Sequence, residues 1–266
     1  MSSPAGQVIP ATSASSVTLA TPVSLREDYH VHSVFSDGVS TLAQNVHVAR
    51  QRGLRRICLV DHVRRDTTWV PRFVSAVQQL RELPGIEILA GVEAKILDRA
   101  GRLDLPAAAA DMAGLDLVLI ADHQFPADLG PVAPQEIRAA LGSGELSPQE
   151  VIGCLVEATA SALGLAERPV LAHLFSVLPK IGLAEPDVPD SMLSLLANRA
   201  RAAGAMVEVN EKWSCPSAWT LRAPAAAGVP VVASTDSHDC KDIGVYNSVA
   251  RTLGAAFPDA AFPGAA

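Results

Sequence analysis

The sequence predicts an α/β protein built as a seven-stranded parallel barrel. Three observations carry that prediction. Short apolar stretches alternate with stretches of helical periodicity, and the pair recurs seven times. Such alternation gives a mainly parallel sheet with helices on its faces. At 266 residues the chain has the length of one large barrel domain. Seven repeats in one domain favour a closed or nearly closed barrel over the second choice, a doubly wound open sheet. No G-x-G-x-x-G follows the first strand and no P-loop occurs, so dinucleotide and P-loop nucleotide binding have no signature here.

The first strand is Tyr29-His30-Val31-His32, broken by Ser36-Asp37-Gly38. Residues 41–52 are helical, since Leu42, Val46 and Ala49 recur at helix spacing; Ser40 or Thr41 caps the helix and Gly53 stops it. Residues 55–60 form the second strand, ending at Asp61-His62, and 71–83 a helix. The third strand runs over 86–90 and 92–96, broken by Gly91 and carrying Glu93. A short helix falls within 103–111. The fourth strand, 115–121, ends at Asp122-His123. Residues 135–141 and 149–163 are helical. The fifth strand, 169–172, ends at His173; the sixth, 205–209, ends at Asn210; the seventh, 229–234, ends at Thr235-Asp236-Ser237-His238. Helices over 191–203 and 217–227 separate these last strands, and one or two more follow. Residues 124–147, with several Pro and Gly, read as a long loop-like insertion that chooses the substrate. The domain organisation expected is a flexible tail over 1–26 with a short packed piece around 17–25, one hydrolase-type domain over 27–255, and a C-terminal tail over 256–266.

Apolar residues make up 49% of the chain and charged residues 18%, enough apolar content for a sizeable core. The formal net charge is −7, and no Lys/Arg run advertises a nucleic-acid or membrane surface. No apolar run reaches the length of a membrane span, and the N-terminal segment lacks a basic start and an apolar h-region. Cys58, Cys154, Cys215 and Cys240 form no C-x-x-C pair. They read as reduced thiols of a cytoplasmic protein rather than ligands.

Six of the seven histidines, His30, His32, His62, His123, His173 and His238, stand at or just past the C-terminal end of a predicted strand, and Glu93 and Asp236 occupy equivalent places. In parallel barrels that rim gathers the catalytic groups. His30 and His32, at i and i+2 of a strand, project to one face, with Asp37 close behind on the loop. His47 falls in mid-helix and stays out of the set. Imidazoles and carboxylates together suit zinc, manganese or iron, and disfavour an all-oxygen calcium site. Nine candidate ligands exceed what one ion takes, so two or three divalent ions are expected. Glu93, on a middle strand, is the best placed to bridge two of them.

His30-x-His32, Asp61-His62, Gly91-Val92-Glu93, His123, Ala172-His173 and Asp236-x-His238, in that order, resemble the PHP family, named for polymerase and histidinol phosphatase. The resemblance runs from about residue 28 to about residue 250. It implies a distorted (β/α)7 TIM-like barrel with two or three ions on the rim. It further implies that His30, His32, Glu93 and Asp236 hold one ion. Glu93, His123 and His173 hold the second, and Asp37, His62 and His238 the third. At Asp37 the family carries either His or Asp. Asn210, in Glu208-Val209-Asn210, matches a family Glu-x-Asn segment and is expected behind the ligands. Asp61 and Asp122 are expected to orient neighbouring groups, or to cap and solvate loops.

The chemistry expected is hydrolysis of a small-molecule phosphate monoester by attack of a metal-bound hydroxide. Asp236 or His238 is the catalytic group that accepts or delivers a proton. No nucleophilic serine is required, and Ser33, Ser36 and Ser237 lack a G-x-S-x-G context. Arg64, Arg65 and Lys95 are the candidate phosphate clamps, with Lys212 and Arg222 behind them. The alternatives are a nuclease or phosphodiesterase acting on nucleic acid or a cyclic phosphate, and a non-catalytic metal-stabilised module. Missing basic stripes and aromatic platforms count against nucleic acid, and the full ligand set counts against a purely structural role.

Overall fold

In the computed structural model the described residues are 23–262. In chain order the strands are β1 (Glu27–Val31), β2 (Arg56–His62), β3 (Glu87–Lys95), β4 (Leu117–Ala121), β5 (Phe125–Ala127), β6 (Gly130–Val132), β7 (Pro169–Leu171), β8 (Met206–Asn210) and β9 (Val231–Ser234). All but β5 and β6 join one parallel sheet in the order of the chain. The two edges of that sheet meet just past β1 and β9. His32 N–H donates to Ser237 O at 2.8 Å, and Ser237 N–H to His30 O at 3.3 Å. Asp28 reinforces the seam. Its carboxylate accepts from Thr235 N at 2.9 Å, Thr235 Oγ1 at 2.6 Å and Gly244 N at 3.0 Å. The result is the nearly closed seven-stranded barrel that the alternation predicts.

The helices are α1 (Leu42–Gln51), α2 (Val70–Leu80), α3 (Pro134–Ser143), α4 (Pro148–Ala162), α5 (Leu178–Ile181), α6 (Asp190–Ala202), α7 (Ala218–Ala226) and α8 (Ser248–Ala256). Local chemistry sets their ends. Thr41 and Gln44 form a reciprocal capping box at α1, and Gly53 follows its end at φ 70°. Ser147 and Glu150 do the same for α4.

Alternate strand residues share a face, and the inward face changes character along the barrel axis. Cys58, Val60, Leu117, Leu119, Val170 and Val232 pack into one buried cluster. Further along the same phase come His62 after Val60, Glu93 after Gly91, and Asp236 after Ser234. The apolar floor is thus continuous with a polar rim. The opposite strand faces pack under the helices, as Ile57, Leu59 and Val92 do in one cluster with Phe73 of α2.

Three local expectations are corrected. Gly91 does not break the third strand, because β3 runs unbroken from Glu87 to Lys95. A Cβ at Gly91 would stand 3.1 Å from both Cys58 Sγ and Val60 Cγ2, so this glycine serves close packing inside the barrel. The loop-like insertion over 124–147 is ordered before the helix expected at 135–141: Phe125–Ala127 and Gly130–Val132 pair as the β5–β6 hairpin, and α3 then covers the expected helical span. The short helix expected within 103–111 is a 3₁₀ turn at Ala109–Met112. Of the tail expected over 1–26, residues 1–22 lie outside the described residues, and Val23 and Leu25 are buried. At the start of the C-terminal segment 256–266, Ala256 and Phe257 are buried. Among the described residues no helix is long and apolar enough to cross a membrane.

Candidate metal centre

The rim begins with β1. His30 and His32 point inward, both buried, with their Nε2 atoms 3.0 Å apart. Asn45 Nδ2 donates to His32 O at 2.8 Å and pins the strand end to α1. The chain then turns sharply. Gly38 is required there, since a Cβ would lie 2.7 Å from Ser33 N. Asp61 organises the turn: its carboxylate accepts from Ser33 N at 2.9 Å, Ser33 Oγ at 2.6 Å, Ser36 N at 3.1 Å and Ser36 Oγ at 2.6 Å. This hold presents Asp37, half exposed, to the rim. Its Oδ2 is 3.4 Å from His62 Nε2 and 3.3 Å from His238 Nε2.

Glu93 is the hub. Its Oε1 is 2.9 Å from both His123 Nε2 and His173 Nε2. Its Oε2 is 2.8 Å from His62 Nδ1, 3.4 Å from His30 Nε2 and 3.5 Å from His32 Nε2. Asp236 closes the ring from β9, with Oδ1 3.4 Å from both His32 Nε2 and His238 Nδ1. The structure therefore brings all nine expected ligands to one rim.

Their grouping differs from the expected division in three respects: Glu93 is not in the first set, His62 replaces His173 in the second, and His32 joins the third. Three sets of donor atoms converge: His30, His32 and Asp236; His62, Glu93 and His123; and His32, Asp37, His62 and His238. His62 stands in the second set in place of His173, because it reaches across to Glu93 Oε2 while His173 approaches Oε1 from the other side.

These residues fit divalent ions. His32 Nδ1 and Glu93 Oε2 are buried without a hydrogen bond of acceptable geometry, even though His62 Nδ1 stands close to the latter. Orphaned buried groups of this kind cost about 1–3 kcal/mol each unless something pairs with them. Burial lowers the His32 imidazole to about 4, with neighbouring His30 adding to the effect, so its lone pair is free at neutral pH. Burial opposes ionisation of Glu93, yet His30 and His123 hold it well below the usual carboxylate range. A buried ionised carboxylate ringed by imidazoles is a donor set for zinc, manganese or iron.

Sequence reasoning missed Glu208. It is fully buried in β8 and accepts from His30 Nδ1 at 3.1 Å, His173 N at 2.6 Å and Asn210 Nδ2 at 2.8 Å. The available signal was its phase: Glu208 and Asn210 alternate on the inward face, one step below the rim. Asn210 stands behind the ligands, passing from Glu208 to the backbone N–H of Trp213. Asp122 accepts from Ser176 Oγ at 2.7 Å and lies 3.5 Å from His173 Nδ1.

A cavity of about 560 Å³ opens beside the rim, with Asp37, His62, Glu93 and His123 at one end and Phe35, Trp69, Arg64, Lys95 and Gln124 along its walls. Lys95 Nζ donates to Gln124 Oε1 at 2.9 Å. Arg65 is exposed, and its backbone N–H donates to Asp104 Oδ1 at 2.9 Å. Lys212, ranked behind these from sequence, has its Nζ 3.4 Å from Asp236 Oδ1 and 3.1 Å from His238 Nδ1. It lines a second cavity of about 380 Å³ that reaches the rim at Asp236 and His238. All four cysteines are free; Cys58, Cys154 and Cys215 are buried, and burial pushes the Cys58 and Cys215 thiols up.

A PHP domain model matches residues 28–172. A probable phosphatase of Thermoanaerobacter sp. (strain X514) is 35% identical over 106 residues, covering 36% of this chain and 40% of that protein. A phosphoribosyl 1,2-cyclic phosphate 1,2-diphosphodiesterase of Eggerthella lenta is 38% identical over 72 residues, 27% of this chain and 25% of that protein. The chain thus spans well under half the length of these curated relatives. The crystal structure of histidinol phosphate phosphatase from Lactococcus lactis, complexed with zinc, L-histidinol and phosphate, superposes with a TM-score of 0.61. That match covers 89% of this chain and 94% of that one at 18% identity, a likeness of fold.

Proposed function

The chain belongs to the PHP domain family, and from that premise we propose that it is a metal-dependent phosphoesterase hydrolysing a small-molecule phosphate monoester. The observation that carries the reading is Glu93, whose two oxygens face histidines from different strands. In this reading His30, His32, Glu93 and Asp236 would hold one ion, Glu93, His123 and His173 a second, and Asp37, His62 and His238 a third, with His32 and His62 within reach of a neighbouring set. Ions bound there lower the pKa of water and draw charge from the phosphoryl oxygens.

The chain's own residues do the rest. Glu208 takes the Nδ1–H of His30 and so leaves Nε2 to face the rim. Asp122 and Ser176 steady His173. Arg64 and Lys95 line the cavity wall and clamp the phosphate as fork and point charge. Arg65, outside that lining, is the weakest of the three. Asp236 or His238 moves the proton of the leaving oxygen. A walled cavity of about 560 Å³ suits a small ester, and the net charge of −7 disfavours a polyanion. The relative named as a cyclic phosphodiesterase supports a second reading, opening of a cyclic phosphodiester at the same rim.

The test pairs Glu93→Ala with a substrate screen. The variant is expected to lose bound metal and phosphate release together. The wild type is expected to release phosphate from sugar, amino-alcohol or nucleotide monoesters. Full metal content with full activity in the variant would show the site to be misplaced. Turnover of cyclic phosphates or oligonucleotides alone would overturn the monoester reading.

A further inference from the structure

Trp213 lies in the tight loop after β8 and is 38% exposed. The loop closes on itself through Asn210 N–H to Cys215 O at 2.8 Å, with Ser214 at φ 52°. Within it, the polar groups of Trp213 that donate are both committed. Its backbone N–H donates to Asn210 Oδ1 at 3.0 Å, and its indole Nε1–H to Asp236 Oδ2 at 2.8 Å. Lys180 Nζ from α5 stands 4.1 Å from the ring centroid, and the His173 ring is 5.9 Å away. Bonds therefore run from buried Glu208 through Asn210 and Trp213 to Asp236.

The two oxygens of Asp236 are divided. Oδ2 takes the indole, while Oδ1 faces His32, His238 and Lys212, each at 3.4 Å. An indole N–H donates only and never competes for a cation. It fixes one carboxylate oxygen and leaves the other to the rim.

We propose that Trp213 is a positioning residue that acts through Asp236, fixing the carboxylate so that Oδ1 points at the ion shared with His30 and His32. This rests on the reading of Asp236 as a metal-holding residue. Partners of this kind set metal affinity by about 10–100-fold.

The experiment strips the full-length chain of metal with a chelator and titrates it with zinc against a chromophoric competitor. Wild type, Trp213→Phe, Asp236→Ala and the double variant are compared. Phenylalanine keeps the ring over Lys180 and removes only the donor, so the melting temperature of the metal-free variant serves as the folding control. The expected result is zinc affinity about 10–100-fold weaker in Trp213→Phe, a metal-free chain that still unfolds in one cooperative transition with its melting temperature lowered no further than the loss of one hydrogen bond allows, and no further weakening by Trp213→Phe in the Asp236→Ala background. Wild-type affinity in Trp213→Phe alongside weakened binding in Asp236→Ala overturns the inference alone. So does the full weakening reappearing in the Asp236→Ala background. Wild-type affinity in Asp236→Ala instead removes Asp236 from the ligand set, and the inference with it.

Discussion

At the scale of single residues, Glu208 decides how the rim is oriented. It is a buried carboxylate whose partners are His30, the backbone at His173, and Asn210. Burial opposes its charge, but His30 holds it below the usual carboxylate range. Burial likewise opposes a charge on His30, and the carboxylates of Glu208, Glu93 and Asp236 hold it well above its ordinary value. In the metal-free chain the sign follows from those directions. The Glu208 contribution is whole above its ordinary 4.5 and fades as pH falls through its lowered value. The His30 contribution is whole below its ordinary 6.5 and fades as pH rises through its raised value. Chelator-stripped wild type is therefore expected to exceed Glu208→Gln in unfolding free energy most between pH 4.5 and 6.5. The gap narrows on either side, as denaturant titrations across pH will read. A pH-independent gap would mean that the pair is not an ion pair. The histidines were legible because strand phase and strand end together single them out. Glu208 was not, because one carboxylate inside Glu-Val-Asn reads as an ordinary polar position until the barrel turns it inward.

At the scale of elements, the turn after β1 is where local structure makes the site. Asp61 ends β2, yet it organises a segment some 25 residues earlier in the chain. Its four bonds to Ser33 and Ser36 deliver Asp37 to His62 and His238. Asp61→Ala strands those donors and is expected to cost about 1–3 kcal/mol in denaturant unfolding. It should also lower the number of ions bound per chain, since Asp37 is released. Unchanged stoichiometry by elemental analysis would separate the turn from the third ion. Helix ends were legible here: Thr41 and Gly53 bracket α1 as the sequence suggests. The β5–β6 hairpin was not, because each strand is three residues long and carries a proline, Pro126 or Pro131. Such strands show no period and resemble loop. Gly91 misled for a related reason, since a glycine required for close packing looks the same in sequence as one that breaks a strand.

At the scale of the whole molecule, the barrel turns scattered residues into one surface. Its order follows the chain, so each strand brings its last inward residue to the same rim. The seam between β1 and β9, bonded through His30, His32 and Ser237, brings Asp236 and His238 against the first pair of histidines. That closure follows from seven repeats and was legible. The approach to Glu93 was not, because His62 and His173 both reach it and from opposite sides, His62 at Oε2 and His173 at Oε1. The most direct measurement is phosphate release from a small monoester by the chelator-stripped chain, with and without restored manganese or zinc. Stripped protein is expected to be silent and to regain turnover as ions are returned. Undiminished phosphate release from the stripped chain would contradict a phosphoesterase built on the Glu93 cluster.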